Sequence, residues 1–334
     1  MQASAFAYKG SNSEQLITVS DLTKNFDNVK AVNKISFNVG KGELFGFLGP
    51  NGAGKTTTIN MLTGLARPDS GWINIAGLNC SKNPKAAQHF IGVVPDESNL
   101  YPELTGFVNL CFCASLYGIS KKERISRAEQ LLADFNLEKA GNRKFNTYSK
   151  GMKRKLTIAA GIIHRPPILF LDEPTTGIDV ASARHIRGLI SKLFNEGTTI
   201  FLTTHYIEEA ERLCERIAFI VNGHIVKNDT VANLIQPIKN RKTLLITYTN
   251  LAGNPEEKLN KAFPEFEFLQ ESNNQIKVHS EKTISIGPVI RFFEEQGAEV
   301  TEARQLNPSL EEIFVEVTGI EADAMKNEKN DGKL

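Results

Sequence analysis

Hydrophobic and polar residues alternate or cluster in short runs over the first fifty positions. Leu16–Val19, Ile35–Val39 and Leu44–Leu48 are apolar or alternating stretches separated by polar, glycine-containing breaks, which predicts strands. After the glycines at 49–54 the apolar positions take helical spacing through Leu65, and Pro68 is the stop. Trp72–Ile75 and Ile91–Val94 return to strand. Residues 103–164 read almost wholly as helix, which predicts an inserted helical subdomain at about 100–165. Ile168–Leu171 and Thr199–Thr203 are buried-strand patterns on either side of a helix, a rhythm that implies a parallel sheet. Asn222-Gly223 between the apolar arms of Phe219–Val226 is a strong hairpin signal.

A second pattern follows Pro237. Its order is strand (Leu244–Tyr248), helix (Pro255–Phe263), strand (Phe266–Gln270), strand (Gln275–His279), helix (Ser285–Gln296), strand (Glu299–Ala303). That is the split βαβ, or ferredoxin-like, arrangement. A further helix is expected at Leu310–Val317. The polar stretches 1–14 and 318–334 have no periodicity and are expected to be disordered tails.

Composition narrows the class without naming it. The 334 residues correspond to about two domains. Hydrophobic residues at 41% and charged residues at 23% are ordinary globular usage, which excludes a fibrous or wholly disordered chain. No stretch approaches the ~18 uninterrupted apolar residues of a membrane helix, and the N-terminus lacks a signal-peptide pattern. A net charge of +1 supplies no global field for nucleic acid. The four cysteines are too few and scattered for a disulfide framework, and Cys111 and Cys113, in an apolar helical run, are expected as buried thiols. The expectation is a soluble intracellular protein of two domains without direct membrane insertion.

Chemistry enters at Gly49-Pro50-Asn51-Gly52-Ala53-Gly54-Lys55-Thr56-Thr57, which matches G-x-x-x-x-G-K-[ST] between an apolar strand and a helix. Glycines let successive N–H groups point into one concavity, and the helix N-terminus adds partial positive charge, so the loop holds phosphates. Lys55 is expected at the β- and γ-phosphates and the Thr56 hydroxyl on Mg²⁺. The strand Ile168–Leu171 ends in Asp172-Glu173. Asp172 is the natural Mg²⁺ partner, and Glu173 is the natural base to polarise an attacking water. A third anomaly is the helix opened by Ser149. Four cations (Lys150, Lys153, Arg154, Lys155) crowd its first two turns, against the helix dipole, and residues 120–155 carry eleven Lys/Arg against four Asp/Glu. That favours an anion docking on Ser149 and the N–H groups near Gly151, although basic residues beyond the first turn also fit a plain solvated surface.

In this order, the three pieces resemble the ATP-binding subunit of an ATP-binding-cassette (ABC) transporter over about residues 15–237. The resemblance implies an α/β P-loop fold with a mixed sheet core, an antiparallel β subdomain and the inserted helices, followed by an α+β accessory domain at 238–317. It implies that Phe26 stacks on adenine and Val32 lines the same face. Gly49–Thr57 is then the Walker A loop and Ile168–Glu173 Walker B. Ser149-Lys150-Gly151-Met152 stands for the signature segment, which contacts the ATP of a second ATPase subunit. Asp179, in Gly177-Ile178-Asp179, is the D-loop residue, and His205 is the switch histidine at the γ-phosphate. Two departures stand out. Pro95-Asp96-Glu97 has an acid where most members have Gln, which places Asp96 near the metal and the catalytic groups, and the signature has Lys150 and Met152 in place of Gly and Gln. The variant signature and the segment Asn307–Phe314 are similar to those of the branch that serves a separate exporting permease. ATP, Mg²⁺, a permease chain and a homo- or heterodimeric ATPase partner follow as expectations, with no nucleic acid. An importer subunit, a non-hydrolysing regulatory subunit and a soluble ABC ATPase remain as alternatives.

Overall fold

The computed structural model describes residues 14–249 and 255–320; the expected tails at 1–14 and 318–334 lie outside them except for Glu14 and residues 318–320. The described residues divide into two compact units, one through Thr230 that also takes in the stretch from Val317, and one from Val231 to Glu316.

The first unit opens with a hairpin of β1 (Gln15–Phe26) and β2 (Val29–Gly40), turned at Asp27 with φ 47°. Both strands run well past the stretches that predicted them. Register shifts near Asp21 and Lys34, themselves at φ 46° and 50°, break the alternation that would have marked residues 20–34 as strand. β3 (Leu44–Leu48), buried at every position, feeds the glycine loop and α1 (Lys55–Leu62). That helix ends before the expected Leu65, because Gly64 at φ 76° takes the left-handed conformation that terminates helices. β4 (Ser70–Ile75) and β5 (Leu78–Asn79) complete an antiparallel sheet in the order β2-β1-β4-β5. α2 (Pro84–Gln88), too short to show a period, precedes β6 (Ile91–Val94).

The helical stretch resolves into α3 (Gly106–Leu116), α4 (Lys121–Asp134) and α5 (Lys150–Ile162). Each is opened by a hydroxyl that accepts a first-turn N–H: Thr105 from Val108, Ser120 from Glu123, Ser149 from Met152. Cys111 and Cys113 are free and only partly covered, not buried, because α3 is apolar on faces that its neighbours do not reach, with Val108, Phe112 and Leu116 exposed.

β7 (Ile168–Asp172), α6 (Val180–Asn195), β8 (Thr199–Thr204), α7 (Ile207–Leu213), β9 (Arg216–Val221) and β10 (His224–Thr230) complete the unit. The second sheet runs β10-β9-β3-β8-β7-β6, parallel except for β10. Its hairpin turn has Asn222 and Gly223 at φ 49° and 76°, the paired left-handed residues of the predicted turn. Every residue of β7 and β8 is buried, as expected for parallel strands covered on both faces. Phe37 joins the two sheets by packing on Phe45, Phe47 and Phe201 at ring separations of 5.6, 5.7 and 5.8 Å. The pairings Leu48–Thr204, Thr203–Asp172 and Leu171–Val94 set the carboxyl ends of β3, β8, β7 and β6 side by side. That edge is where open α/β sheets bind ligands.

The second unit comprises α8 (Val231–Ile235), β11 (Lys242–Thr249), α9 (Pro255–Ala262), β12 (Glu267–Ser272), β13 (Gln275–Ser280), α10 (Ile286–Glu295), β14 (Glu299–Leu306) and α11 (Leu310–Thr318) up to Glu316. Its antiparallel sheet runs β12-β13-β11-β14, the order of a split βαβ repeat. Leu259 of α9 and Val289 and Phe293 of α10 pack on Leu244, Ile246, Phe268, Ile276 and Val278. His279, one residue out of phase with Val278, points to the other face, where its Nδ1 lies 2.9 Å from the buried Thr243 hydroxyl. Burial, helped by the positive charges of Arg241 and Lys277, pulls its pKa from 6.5 to about 4. The unfolded chain therefore binds a proton that the folded one refuses between those two values, and stability should fall as pH drops from 6.5 toward 4. Urea midpoints at pH 7 and pH 5 check this: wild type should lose more than His279→Asn over that interval.

Candidate functional site

Backbone geometry builds the phosphate loop. A Cβ at Gly49 would lie 2.1 Å from the Ile220 carbonyl, so only glycine lets the chain leave β3 beside β9. Gly54, at φ 104°, would place one 2.4 Å from the Ala31 carbonyl. The β9–β10 turn supports the loop from behind: Gly223 N–H donates to Ala53 O at 3.1 Å, and Asn33 N–H donates to Gly223 O at 2.9 Å. Asn51, Gly52 and Ala53 form the loop's crest, and Gly54, Lys55, Thr56 and Thr57 present the unpaired N–H groups of the first turn of α1.

Around this loop the ends of β7 and β8 bring a linked set of ionisable groups. Lys55 is buried, and its Nζ donates to Gly49 O at 2.7 Å and Pro50 O at 3.0 Å and pairs with Glu173 Oε1 at 3.1 Å. The other carboxylate oxygen, Oε2, accepts from His205 Nδ1 at 2.8 Å and from the Thr176 hydroxyl at 2.9 Å. Burial pushes the Glu173 carboxyl up, but the bond from His205 and the charge of Lys55 outweigh it and hold the pKa at about 2. Glu173 also sits at φ 49°, a left-handed conformation that costs a residue with a side chain on the order of 1–2 kcal/mol.

Asp172 behaves in the opposite way. Burial raises its pKa, the Thr203 and Thr56 hydroxyls lower it, and the charges of Glu173 and Asp96 raise it further. A carboxyl raised by burial and like charge, beside a hydroxyl and an exposed second carboxylate, is a hard-oxygen donor set that suits Mg²⁺. Among the described residues no group of three or more His, Cys, Asp or Glu could hold a metal alone. The fit is therefore to an ion shared with phosphate oxygens, the usual habit of Mg²⁺.

Ser149, Gly151 and Asp179 form a second cluster, where the N-termini of α5 and α6 meet. Asp179 caps α6 by accepting from Ser182 N–H at 2.8 Å, and a Cβ on Gly151 would lie 2.3 Å from the Ser182 hydroxyl. Phe26, at the end of β1, is 50% exposed, with Lys24 Nζ 5.3 Å from its ring centre, so one aromatic face is available for stacking. Val32 corrects the expectation. It is wholly buried beneath Gly54, so it supports the loop and offers no surface to a ligand.

Comparison with known proteins gives this arrangement a family. The family described as "ABC transporter" matches residues 32–176. Over 236 residues the chain is 39% identical to the linearmycin resistance ATP-binding protein LnrL of Bacillus subtilis, covering 71% of this chain and 76% of that one. It is 33% identical over 307 residues to the Nod factor export ATP-binding protein I of Rhizobium etli, covering 92% and 94%. The chain belongs to the ABC transporter ATP-binding family. Among solved structures, the dimeric post-hydrolysis state of the ATP-binding cassette MJ0796 with ADP and Pi is similar at TM-score 0.60 and 27% identity, covering 64% of this chain and 98% of that one. This ABC protein is accordingly an ATPase.

Two buried residues of this ABC ATPase, Thr203 and Glu209, were not singled out by sequence reasoning, and a third, Arg154, was named only among the cations at the start of α5. Thr203 donates to Asp172, and Glu209, in α7, accepts from the Thr175 and Thr204 hydroxyls at 2.7 and 2.9 Å, tying the turns after β7 and β8 together. Arg154, for which a plain solvated surface was the alternative left open, is 6% exposed. The overlooked signal is phase, because Arg154 falls at i+3 from Gly151 and four residues before Ile158, both on the buried face of α5.

Proposed function

We propose that this ATPase drives a separate membrane permease in export, working as a head-to-tail dimer that encloses two Mg-ATP molecules. The observation that carries the reading is the Glu173 carboxylate bracketed by Lys55 and His205 beside the phosphate loop. In this account the Gly49–Thr57 loop holds the β- and γ-phosphates, and Phe26 stacks on adenine. Ser149 and Gly151 of the second subunit close the site, with Asp179 at the same interface. Thr56 and Asp172 hold Mg²⁺, with Asp96 in its surroundings; the ion supplies charge neutralisation on the phosphates. When Lys55 turns to the phosphate it releases Glu173 Oε1. The carboxylate loses one of the charges that keep its pKa low and becomes a better acceptor for the attacking water. His205 keeps Glu173 in place and stabilises charge on the transferring phosphoryl group.

Export is supported by relatives named for drug resistance and Nod factor export, and by the variant signature at Ser149–Met152. No described helix is long and apolar enough to cross a membrane, so a separate permease would supply the membrane path and bring the subunit to the cytoplasmic face. Tyr101, Val108 and Phe112, all exposed, with Tyr101 and Phe112 stacked edge to face at 5.1 Å, form an apolar patch where a permease helix would press. Residues 15–237 would then be the motor and 238–317 an accessory domain. The test is light scattering of Glu173→Gln with Mg-ATP. The mass should double from 37.0 kDa, and a species that binds ATP yet stays at 37.0 kDa would contradict the enclosed dimer.

A further inference from the structure

Arg154 places a buried guanidinium at the junction of three segments. Its Nε donates to Pro174 O at 2.9 Å and its Nη2 to Asp172 O. Its Nη1 donates to Asp96 O at 3.0 Å and to Pro95 O. The Asp172 and Pro174 carbonyls flank Glu173, the one non-glycine residue of that turn with a left-handed backbone. The fork thus grips the carbonyls of the residues before and after a strained residue, in the Asp172–Glu173 and Pro174–Thr175 peptide units, while its stem rises from the helix that Ser149 opens. Burying a cation is costly; the charges of Asp96, Asp172, Glu173 and Glu209 offset part of that cost, while the hydrogen bonds themselves go to main-chain carbonyls. A leucine or methionine would leave those carbonyls without their donor, and the planar fork holds two loops in one register.

We infer that Arg154 is a positioning residue for ATP hydrolysis, which sets the Glu173 carboxylate through the carbonyls of the neighbouring Asp172 and Pro174 and ties that placement to the Pro95–Asp96 turn and to α5. The inference rests on Glu173 being the residue that orients the attacking water. Arg154 touches neither water nor phosphate; it acts through Glu173.

The test is Arg154→Lys in the full chain. Lysine keeps the charge but cannot span both flanking carbonyls. Turnover should fall about ten- to hundred-fold, the scale of a misplacement near 1 Å, with KM for ATP within about three-fold and a thermal midpoint close to wild type. In a Glu173→Gln background, read by single-turnover hydrolysis, the same change should cost less than about two-fold, because residues that act as a unit are not additive. Unchanged turnover, a KM that rises in step with the loss, or an equal fold-loss in both backgrounds overturns the inference. Loss of the folding transition in both Arg154→Lys and Arg154→Gln also overturns it, since Arg154 would then serve the fold. If Glu173→Gln alone retains wild-type turnover, the assignment of Glu173 fails and takes this link with it. A dead Glu173→Gln beside an unaffected Arg154→Lys sinks the link only.

Discussion

Replacing Glu173 with glutamine is expected to lower kcat for ATP hydrolysis by about 10³-fold while leaving the Kd for Mg-ATP within about three-fold of wild type, the usual scale for removing a group that manages a proton in the transition state. The amide keeps the size of the carboxylate and can still accept one hydrogen bond from His205, so the turn after β7 keeps its shape. It cannot carry the negative charge that Lys55 and His205 now balance. Because the wild-type carboxyl is ionised above a pKa of about 2, it contributes no acid limb to the rate of the resting enzyme between pH 5 and 8. Its share of fold stability is complete above its ordinary value of 4.5 and is lost as pH falls from there toward 2. Equilibrium binding of labelled ATP beside phosphate release separates the two effects. A variant that binds weakly and turns over at a proportionate rate would make Glu173 a binding residue instead.

Lys55→Met carries the second large effect and falls on the other parameter. Losing a charge-assisted bond to phosphate should weaken ATP binding about 100-fold, or about 3 kcal/mol. The substitution also strips Glu173 of its buried cation. That carboxylate then keeps only His205 and Thr176, and burial pushes its pKa upward. Turnover at saturating ATP should therefore fall as well, and the residual rate should gain an acid limb absent from wild type. Titration calorimetry and a pH–rate series report the two parts independently. Wild-type affinity in Lys55→Met would mean that the loop backbone alone carries phosphate binding.

What the sequence made legible was local. The glycine loop and Asn222-Gly223 declare themselves because each is a run of consecutive residues whose backbone demands particular side chains, and Asp172-Glu173 because it closes an apolar strand. The order of elements in the second unit was equally plain, since short apolar runs are separated by helical ones and Ile276 and Val278 of β13 share one face. β1 and β2 were cut short because register shifts hide their period, and α1 was overrun because Gly64, not Pro68, stops it. The support for Glu173 stayed hidden for a different reason. Arg154 binds the Pro95 carbonyl and Glu209 the Thr175 hydroxyl, both from segments far away in the chain, and no spacing in the sequence records which turns will meet. Val32 shows the reverse error: a residue assigned to a ligand face by its place in a motif is needed underneath that face.

The most direct measurement is phosphate release per chain by the purified protein at saturating Mg-ATP, with Glu173→Gln run in parallel. Turnover on the order of 1 per second for wild type, and background release from a variant that still binds ATP, is the result predicted. Equal rates from the two chains, or ATP bound by wild type without any release of phosphate, would contradict it.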